Sequence, residues 1–452
     1  MNLLKKGFKR GGVKLPEHKE TTEHKKIINA PVPKRVKIPL QQHIGKPAIP
    51  VVQIGDEVKE GTLIGKMDGD FSANIHSSIP GKVIGIGDIY NPNAQKSRYI
   101  EIEFKGNIKY WEIKNSKWDL FSKDELLERI KNAGIVGMGG ATFPAHMKYK
   151  PPVPIETLLI NGAECEPFLT VDDRLMSEKA VELREGIRIL KKILNPKKIF
   201  IGVEDNKIEA IEMLEKNSAN EYEVVPLRTR YPQGGEKQLI EAVLKVEVPS
   251  GALPFQVGVV VANISTIYAI YEAILFEKPL YERLVTVSGQ IVKWPGNYKV
   301  RIGTLIHDLL HDCQLFINPA KIISGGPMMG YSQLTDDTPI TKGTSGIVVF
   351  SKEEIKFKKE KPCIRCGRCM QACPVGLFPN IMYNNISIND LQSAEKIGLK
   401  DCIECGACSF ICPSKIQLVN YFKSAKLNLK RNISLSLNKI PRVKGFEYGK
   451  EK

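Results

Sequence analysis

Two cysteine runs, CIRCGRCMQACP (Cys363, Cys366, Cys369, Cys373) and CIECGACSFICP (Cys402, Cys405, Cys408, Cys412), constrain this 452-residue chain more than any other feature. Both read C-x2-C-x2-C-x3-C-P. Eight of the ten cysteines lie between Cys363 and Cys412, too crowded to be scattered core thiols. In a chain expected to be cytoplasmic, metal binding outranks disulfides. Three thiolates spaced by two residues wrap one face of an iron–sulfur cubane, whose fourth iron needs a ligand from elsewhere. Zinc favours separated C-x2-C knuckles or mixed Cys/His sets, so two 4Fe–4S clusters are the better reading. Gly367 and Gly406 would let amides approach cluster sulfur, which tunes potential.

In bacterial two-cluster ferredoxins the last cysteine of each run ligates the other cluster. By that resemblance Cys363, Cys366 and Cys369 share a cluster with Cys412, and Cys402, Cys405 and Cys408 share one with Cys373. Cys313 reads as a core thiol.

The net charge of +16 sits at the two ends. Residues 1–44 hold eleven Lys/Arg against three Glu, and 421–452 hold nine against two, leaving the middle near neutral. Such ends read as solvated tails, or as contacts for anionic membrane or acidic protein. No nucleic-acid module accompanies them, so no nucleic-acid partner is expected. No run approaches the length of a membrane span and the first residues lack a signal peptide's apolar stretch, so a cytoplasmic location is expected.

The text between changes period several times. A basic N-terminal arm (1–44) precedes short alternating strands broken by Gly and Asp, a barrel-sandwich domain over 45–118. That stretch resembles lipoyl and biotinyl carriers, but its tip, MDGDFSANIH, lacks their modifiable-lysine motif. Ser122-Lys-Asp-Glu125 is a capping box opening a helix that stops at Gly134. Strands at 157–160, 199–203, 223–227 and 257–261 then alternate with helices at 177–194, 206–217, 236–244 and 264–276. This predicts a Rossmann-like α/β domain over 119–280, with ligands beyond the strands' carboxyl ends. A β-grasp insert over 281–351, a two-cluster domain over 352–422 and a basic tail over 423–452 complete the order.

Between the capped helix and the first α/β strand runs Gly134-Ile-Val-Gly137-Met-Gly139-Gly140-Ala-Thr-Phe143-Pro144-Ala-His-Met-Lys148. Its glycines permit close backbone approach to a phosphate, and Lys148 can supply charge. Asp172 and Asp173 read as a solvated loop, and the seven histidines form no ligand pair.

GMGGATFPAHMK resembles the flavin loop of the flavin- and NADH-binding subunit of respiratory complex I. Asn161-Gly-Ala-Glu164-Cys-Glu166-Pro, Val261-Ala-Asn263-Ile-Ser-Thr266 and Gly234-Gly235-Glu236-Lys237 are similar to three further motifs of that subunit. The resemblance implies that Gly137, Gly139, Gly140 and Lys148 cradle a noncovalent FMN, and that Asn161, Asn263 and Thr266 fix its ring. Glu164 belongs to the same site. Glu166, Gly234, Gly235 and Glu236, with Phe143 as a stacking partner, would shape the nicotinamide site. Ala163, Cys165 and Lys237 depart from the complex I pattern.

With GGVKLPEHKE, the barrel, the β-grasp insert and the cluster runs in this order, the whole resembles the C subunits of Rnf complexes. Those are membrane-associated ferredoxin:NAD oxidoreductases coupled to ion translocation. The resemblance implies an oxidoreductase subunit passing electrons between NAD(H), FMN and two 4Fe–4S clusters, peripheral on the cytoplasmic face of the membrane. Its partners would be other subunits of a membrane redox complex, with ferredoxin served indirectly. Two alternatives stay open: a soluble flavo-iron–sulfur protein similar to cobalamin reductase, whose barrel follows the flavin loop, and a relay subunit without active flavin.

Overall fold

The computed structural model describes residues 6–355 and 359–437, in two compact units divided at Phe357/Lys358. The first contains three layered parts.

The barrel pairs a four-stranded antiparallel sheet (Arg35–Pro39, Lys96–Phe104, Gly81–Tyr90, Glu57–Val58) with a three-stranded one (Ile49–Pro50, Leu63–Lys66, Ile75–His76). Alternation explains it: Val36, Ile38, Val83, Ile100 and Ile102 all point inward and are fully buried. Gly81 allows the central pair to close, because a Cβ there would stand 1.9 Å from the Glu103 carbonyl oxygen.

The α/β part holds a four-stranded all-parallel sheet in the order Glu223–Leu227, Lys198–Glu204, Thr157–Gly162, Val259–Asn263. The chain enters at Thr157–Gly162, winds outward twice, then returns to the other side. The strand order therefore reverses between Thr157–Gly162 and Val259–Asn263, and ligands bind at such a switch point. Helices cover the sheet, with Leu183, Ile187, Leu190, Ile267 and Ile270 buried against it. The capping box is present: the Ser122 amide donates to Glu125 Oε2 and the Glu125 amide to Ser122 Oγ. The single helix expected over 177–194 is instead two, Val171–Glu178 and Ala180–Leu194.

The third part is a six-stranded sheet in the order Ile27–Asn29, Gly296–Arg301, Glu282–Ser288, Gly346–Phe350, Lys321–Ser324, Tyr331–Ser332. Helix Ile306–Cys313 buries Leu309, Leu310 and Cys313 beneath it.

The N-terminal arm is not a free tail. Val13 and Tyr231 exchange two backbone hydrogen bonds, the Phe168 amide donates to the Glu17 carbonyl, and Ile27–Asn29 pairs in parallel with Gly296–Arg301. Arg35–Pro39 already belongs to the barrel. Counting charges concealed this, because a lysine such as Lys19 can bury its stem and donate to the Glu164 carbonyl.

Among its described residues the second unit is helical: Arg368–Ala372, Pro379–Ser387, Leu391–Lys396, Ala407–Ile411 and Leu418–Leu437. Met382, Leu399, Ile416 and Phe422 form its core with Cys408 and Cys412. The expected basic tail begins inside the last helix, where Ala425 and Leu429 are buried. Residues 438–452 of the expected basic tail, and 356–358 of the expected two-cluster domain, lie outside the described residues. Among the described residues no helix is long and apolar enough to cross a membrane.

Candidate functional site

The switch point carries two asparagines. Asn161 and Asn263 are register partners at the carboxyl ends of the two strands flanking the reversal. Asn161 Nδ2 donates to the Gly234 carbonyl (2.9 Å), and its Oδ1 accepts from the Ala163 amide. Asn263 caps helix Ile264–Leu275 by accepting from the Thr266 amide, and its Nδ2 donates to Asp172 Oδ2 at 2.8 Å.

The glycine loop folds over this pair. Gly137 donates to the Phe143 carbonyl and accepts from Thr142, closing a tight turn. A Cβ on Gly139 would come within 3.4 Å of Asn263 Cβ, whereas Gly140, at φ +106°, faces open space. Thr266 does not project from the helix but holds the loop: its buried Oγ1 accepts from the Met138 amide at 2.9 Å. The barrel tip leans on the same loop, with Phe71 edge-on to Phe143 at 6.0 Å and His146 hydrogen-bonded to the Asp70 carbonyl.

The acidic residues separate. Glu164 accepts from the amides of Asp172 and Asp173, so those aspartates open helix Val171–Glu178 and do not lie on a solvated loop. Asp172 is spent on Asn263 and Ser265, and Asp173 is buried. Burial drives the Glu164 carboxyl above the usual carboxylate range, against the pull of Lys19. Glu166 turns elsewhere, accepting from the Met328 and Met329 amides of the β-grasp part, and burial pushes it up to about 7. Cys165 is partly buried and accepts from the Gly234 amide. Lys148 and Glu236, expected on the phosphate and on the nicotinamide respectively, pair with each other at 2.9 Å. Gly235 caps helix Glu236–Leu244, and Lys237 points away to the Pro249 carbonyl.

Arg283 escaped the sequence reading. It is 2% exposed, and its NH2 donates to the Met138 carbonyl at 3.0 Å. Its Nε and NH1 have no partner among the described residues. Burial lowers its pKa to about 10, with Asp172 and Glu164 opposing, so it remains a cation. Strand alternation was the available signal, since Arg283 shares a face with buried Val285 and Val287. A buried cation with idle donors beneath a glycine turn fits an anionic, phosphate-bearing ligand such as FMN. Gln233, whose buried amide atoms also lack a partner among the described residues, adds idle polar groups beside Gly234.

In the second unit Cys373, Cys402, Cys405 and Cys408 line one cavity with Leu377, Met382 and Phe422. None of the ten cysteines, all among the described residues, forms a disulfide. Among the described residues no three His, Cys, Asp or Glu side chains gather tightly enough for a single metal ion. Four thiols around a cavity, not at a point, fit a cubane and not a tetrahedral zinc site. Burial pushes the Cys405 thiol up to about 12, so loading must displace protons.

Comparison with known proteins covers most of the chain. Residues 7–107 match the RnfC barrel sandwich hybrid domain, 130–272 the Nuo51 FMN-binding domain, 284–332 the SLBB domain and 355–413 a 4Fe-4S dicluster domain. The C subunit of the proton-translocating ferredoxin:NAD(+) oxidoreductase complex of Clostridium ljungdahlii is 48% identical, covering 92% of this chain and 93% of its own. The Na(+)-translocating counterpart of Acetobacterium woodii is 41% identical over 83% and 86%. The C subunit of the ion-translocating oxidoreductase complex of Rhodobacter capsulatus is 43% identical over 92% and 82%. Among solved structures, an NAD+-reducing nickel–iron hydrogenase in its H2-reduced state shares the fold at TM-score 0.51 and 16% identity, covering 75% of this chain and 71% of that one. Such identity, sustained from the barrel through the cysteine runs, makes this chain a member of the family of C subunits of ion-translocating ferredoxin:NAD oxidoreductase complexes.

Proposed function

We propose that this chain is the NAD(H)-reactive electron-transfer subunit of such a complex, peripheral on the cytoplasmic face of the membrane, linking NAD(H) through FMN to two 4Fe–4S clusters. The observation that carries the reading is the glycine loop held over the Asn161/Asn263 pair at the sheet's switch point, in a chain that also carries two cluster-type cysteine runs. Bound flavin supplies the chemistry that converts a two-electron hydride donor into single electrons for iron–sulfur centres.

The protein's part is binding and orientation. With Gly137 closing the turn through Phe143, Gly139 and Gly140 would bring backbone amides to the phosphate, and Lys148 would exchange the Glu236 carboxylate for it. Asn161 and Asn263, whose amides hold the Gly234 carbonyl and Asp172, would shape the ring's site through the segments they anchor. Thr266 and Arg283 grip Met138 from opposite sides, and Arg283 adds a fixed positive charge. Glu236, released from Lys148, would shape the nicotinamide site with Gly235 and Phe143, while Glu166 fixes the 326–329 loop. Cys363, Cys366, Cys369 and Cys412 hold one cluster; Cys402, Cys405, Cys408 and Cys373 hold the other. The basic residues of the C-terminal tail, exposed Lys430 among them, suit an acidic neighbouring subunit or anionic lipid. Ferredoxin is served through the complex.

The test is an anaerobic spectrum of reconstituted protein, with iron, sulfide and FMN counted, before and after NADH. Flavin bleaching followed by cluster reduction is expected. A fully iron-loaded chain that retains no FMN would reduce the subunit to a relay.

A further inference from the structure

The two cysteine runs share a backbone and differ in what surrounds it. Arg365 and Glu404 hold equivalent places, and both are left-handed at φ 54° and 57°, as are Gly367 and Gly406 at 73° and 80°. Each run then enters a five-residue helix.

The cover is different. Helix Leu418–Leu437 roofs the second run, where Val419 and Phe422 join Cys402, Cys405 and Cys408 around their cavity. Lys426 ties that roof down by donating to the Cys402 carbonyl and to Glu404. Cys405 and Cys408 are buried in consequence. Among the described residues no helix roofs the first run in this way: Cys366 is exposed, and Ile364 is 67% exposed. The Asn380 amide reaches the Cys369 thiol, which brings exposed Phe378 and Ile381 alongside.

The charge is different too. Where the second run has Glu404, neutralised by Lys426, and Ala407, the first has Arg365 and Arg368. Both arginines are exposed, and neither has an ion-pair partner among the described residues. An exposed apolar centre edged by unneutralised arginines, around cysteines that would hold a redox centre, is what a transient electron-transfer contact needs. The apolar patch excludes water, and the cations steer an oppositely charged surface, which raises encounter rates by about 10- to 1,000-fold.

We propose that the first run, Cys363–Cys369, is the face on which this subunit meets its one-electron partner, and that the partner is a redox subunit of the same complex presenting carboxylates there. The inference rests on the reading of the cysteines as cluster ligands. One electron crosses the contact, oxidising one centre as it reduces the other, with no bond made or broken.

The test uses the intact complex in its membrane. In an Arg365→Lys/Arg368→Lys variant, carbodiimide joins the introduced amines to any carboxylate in contact, without a spacer. Cross-links to Asp or Glu of another subunit, suppressed by high salt, are expected. Arg365→Glu/Arg368→Glu should lower affinity for the rest of the complex about tenfold or more, read as release at lower salt, with Arg365→Ala/Arg368→Ala intermediate. Lys396→Glu, elsewhere in the same unit, should change nothing. Iron and sulfide are counted on every sample. A wild-type subunit without iron would sink the cluster reading, and this inference with it. Full iron with no cross-links, with cross-links only to residues 1–357 of the same chain, or with unchanged affinity after charge reversal would overturn the docking face alone.

Discussion

Asn161 and Asn263 stand side by side in register at the carboxyl ends of adjacent parallel strands, yet their side chains diverge, one to the Gly234 carbonyl and the other to Asp172. One residue anchors the loop that carries Gly234; the other caps the helix beneath the glycine turn. Asn263→Ala removes a helix cap and leaves Asp172 with Ser265 alone, costing about 0.5–2 kcal/mol for the cap alone. The melting temperature should fall and FMN should bind at least tenfold more weakly by fluorescence titration. Unchanged FMN affinity would remove Asn263 from the flavin site.

Lys148 separates phosphate from ring recognition. Its surface pair with Glu236 is worth about 0–1 kcal/mol, so Lys148→Met should leave the melting temperature nearly unchanged. FMN affinity should drop about tenfold or more. Riboflavin affinity should stay the same, and an equal loss for both flavins would contradict the phosphate role.

Arg283→Met should weaken FMN binding and make the bound flavin harder to reduce, since a fixed cation favours the added negative charge. Arg283→Lys should restore the potential in part. If the two variants share the wild-type flavin potential by redox titration, Arg283 is only a support for Met138.

The chain was legible where local chemistry is repetitive. The cysteine spacing, the capping box and the strands of the α/β sheet follow from periodicity, and the structure places those strands within two residues of the expected bounds. What stayed hidden depends on distant partners. Lys19, Thr22 and Ile27 look like part of a charged tail until Glu164, Asn297 and strand Gly296–Arg301 are placed beside them. Asp172 and Asp173 looked solvated because nothing local reveals that Glu164 turns back onto their amides. Arg283 was hidden inside an apolar strand, where its charge has meaning only once Met138 lies above it.

Acid should loosen the barrel tip. Burial holds His43 down to about 4 and His76 down to about 3, against an ordinary 6.5. Between those values and 6.5 the unfolded chain binds more protons than the folded one. Stability therefore rises with pH across about 3 to 6.5 and is lost on acidification. Thermal melts over that range should show the slope, and His76→Asn should flatten it. A pH-independent melting temperature would contradict the burial argument.

Cys373 lies in the first run by sequence but lines the cavity of the second. Cys373→Ala should therefore remove about four irons per chain while sparing the centre held by Cys363, Cys366 and Cys369. Electron paramagnetic resonance of the reduced protein would tell which signal survives. Loss of the first-run signal alone would reverse the assignment.

The pairing of Ile27–Asn29 with Gly296–Arg301 has a consequence for biosynthesis. The hydrogen bond from Asn297 to the Lys25 carbonyl spans 272 residues, so the edge of that sheet cannot close until the ribosome has translated well past the flavin-type domain. Until then the early strand has no mate, and the nascent chain carries an open edge of the kind that chaperones cover.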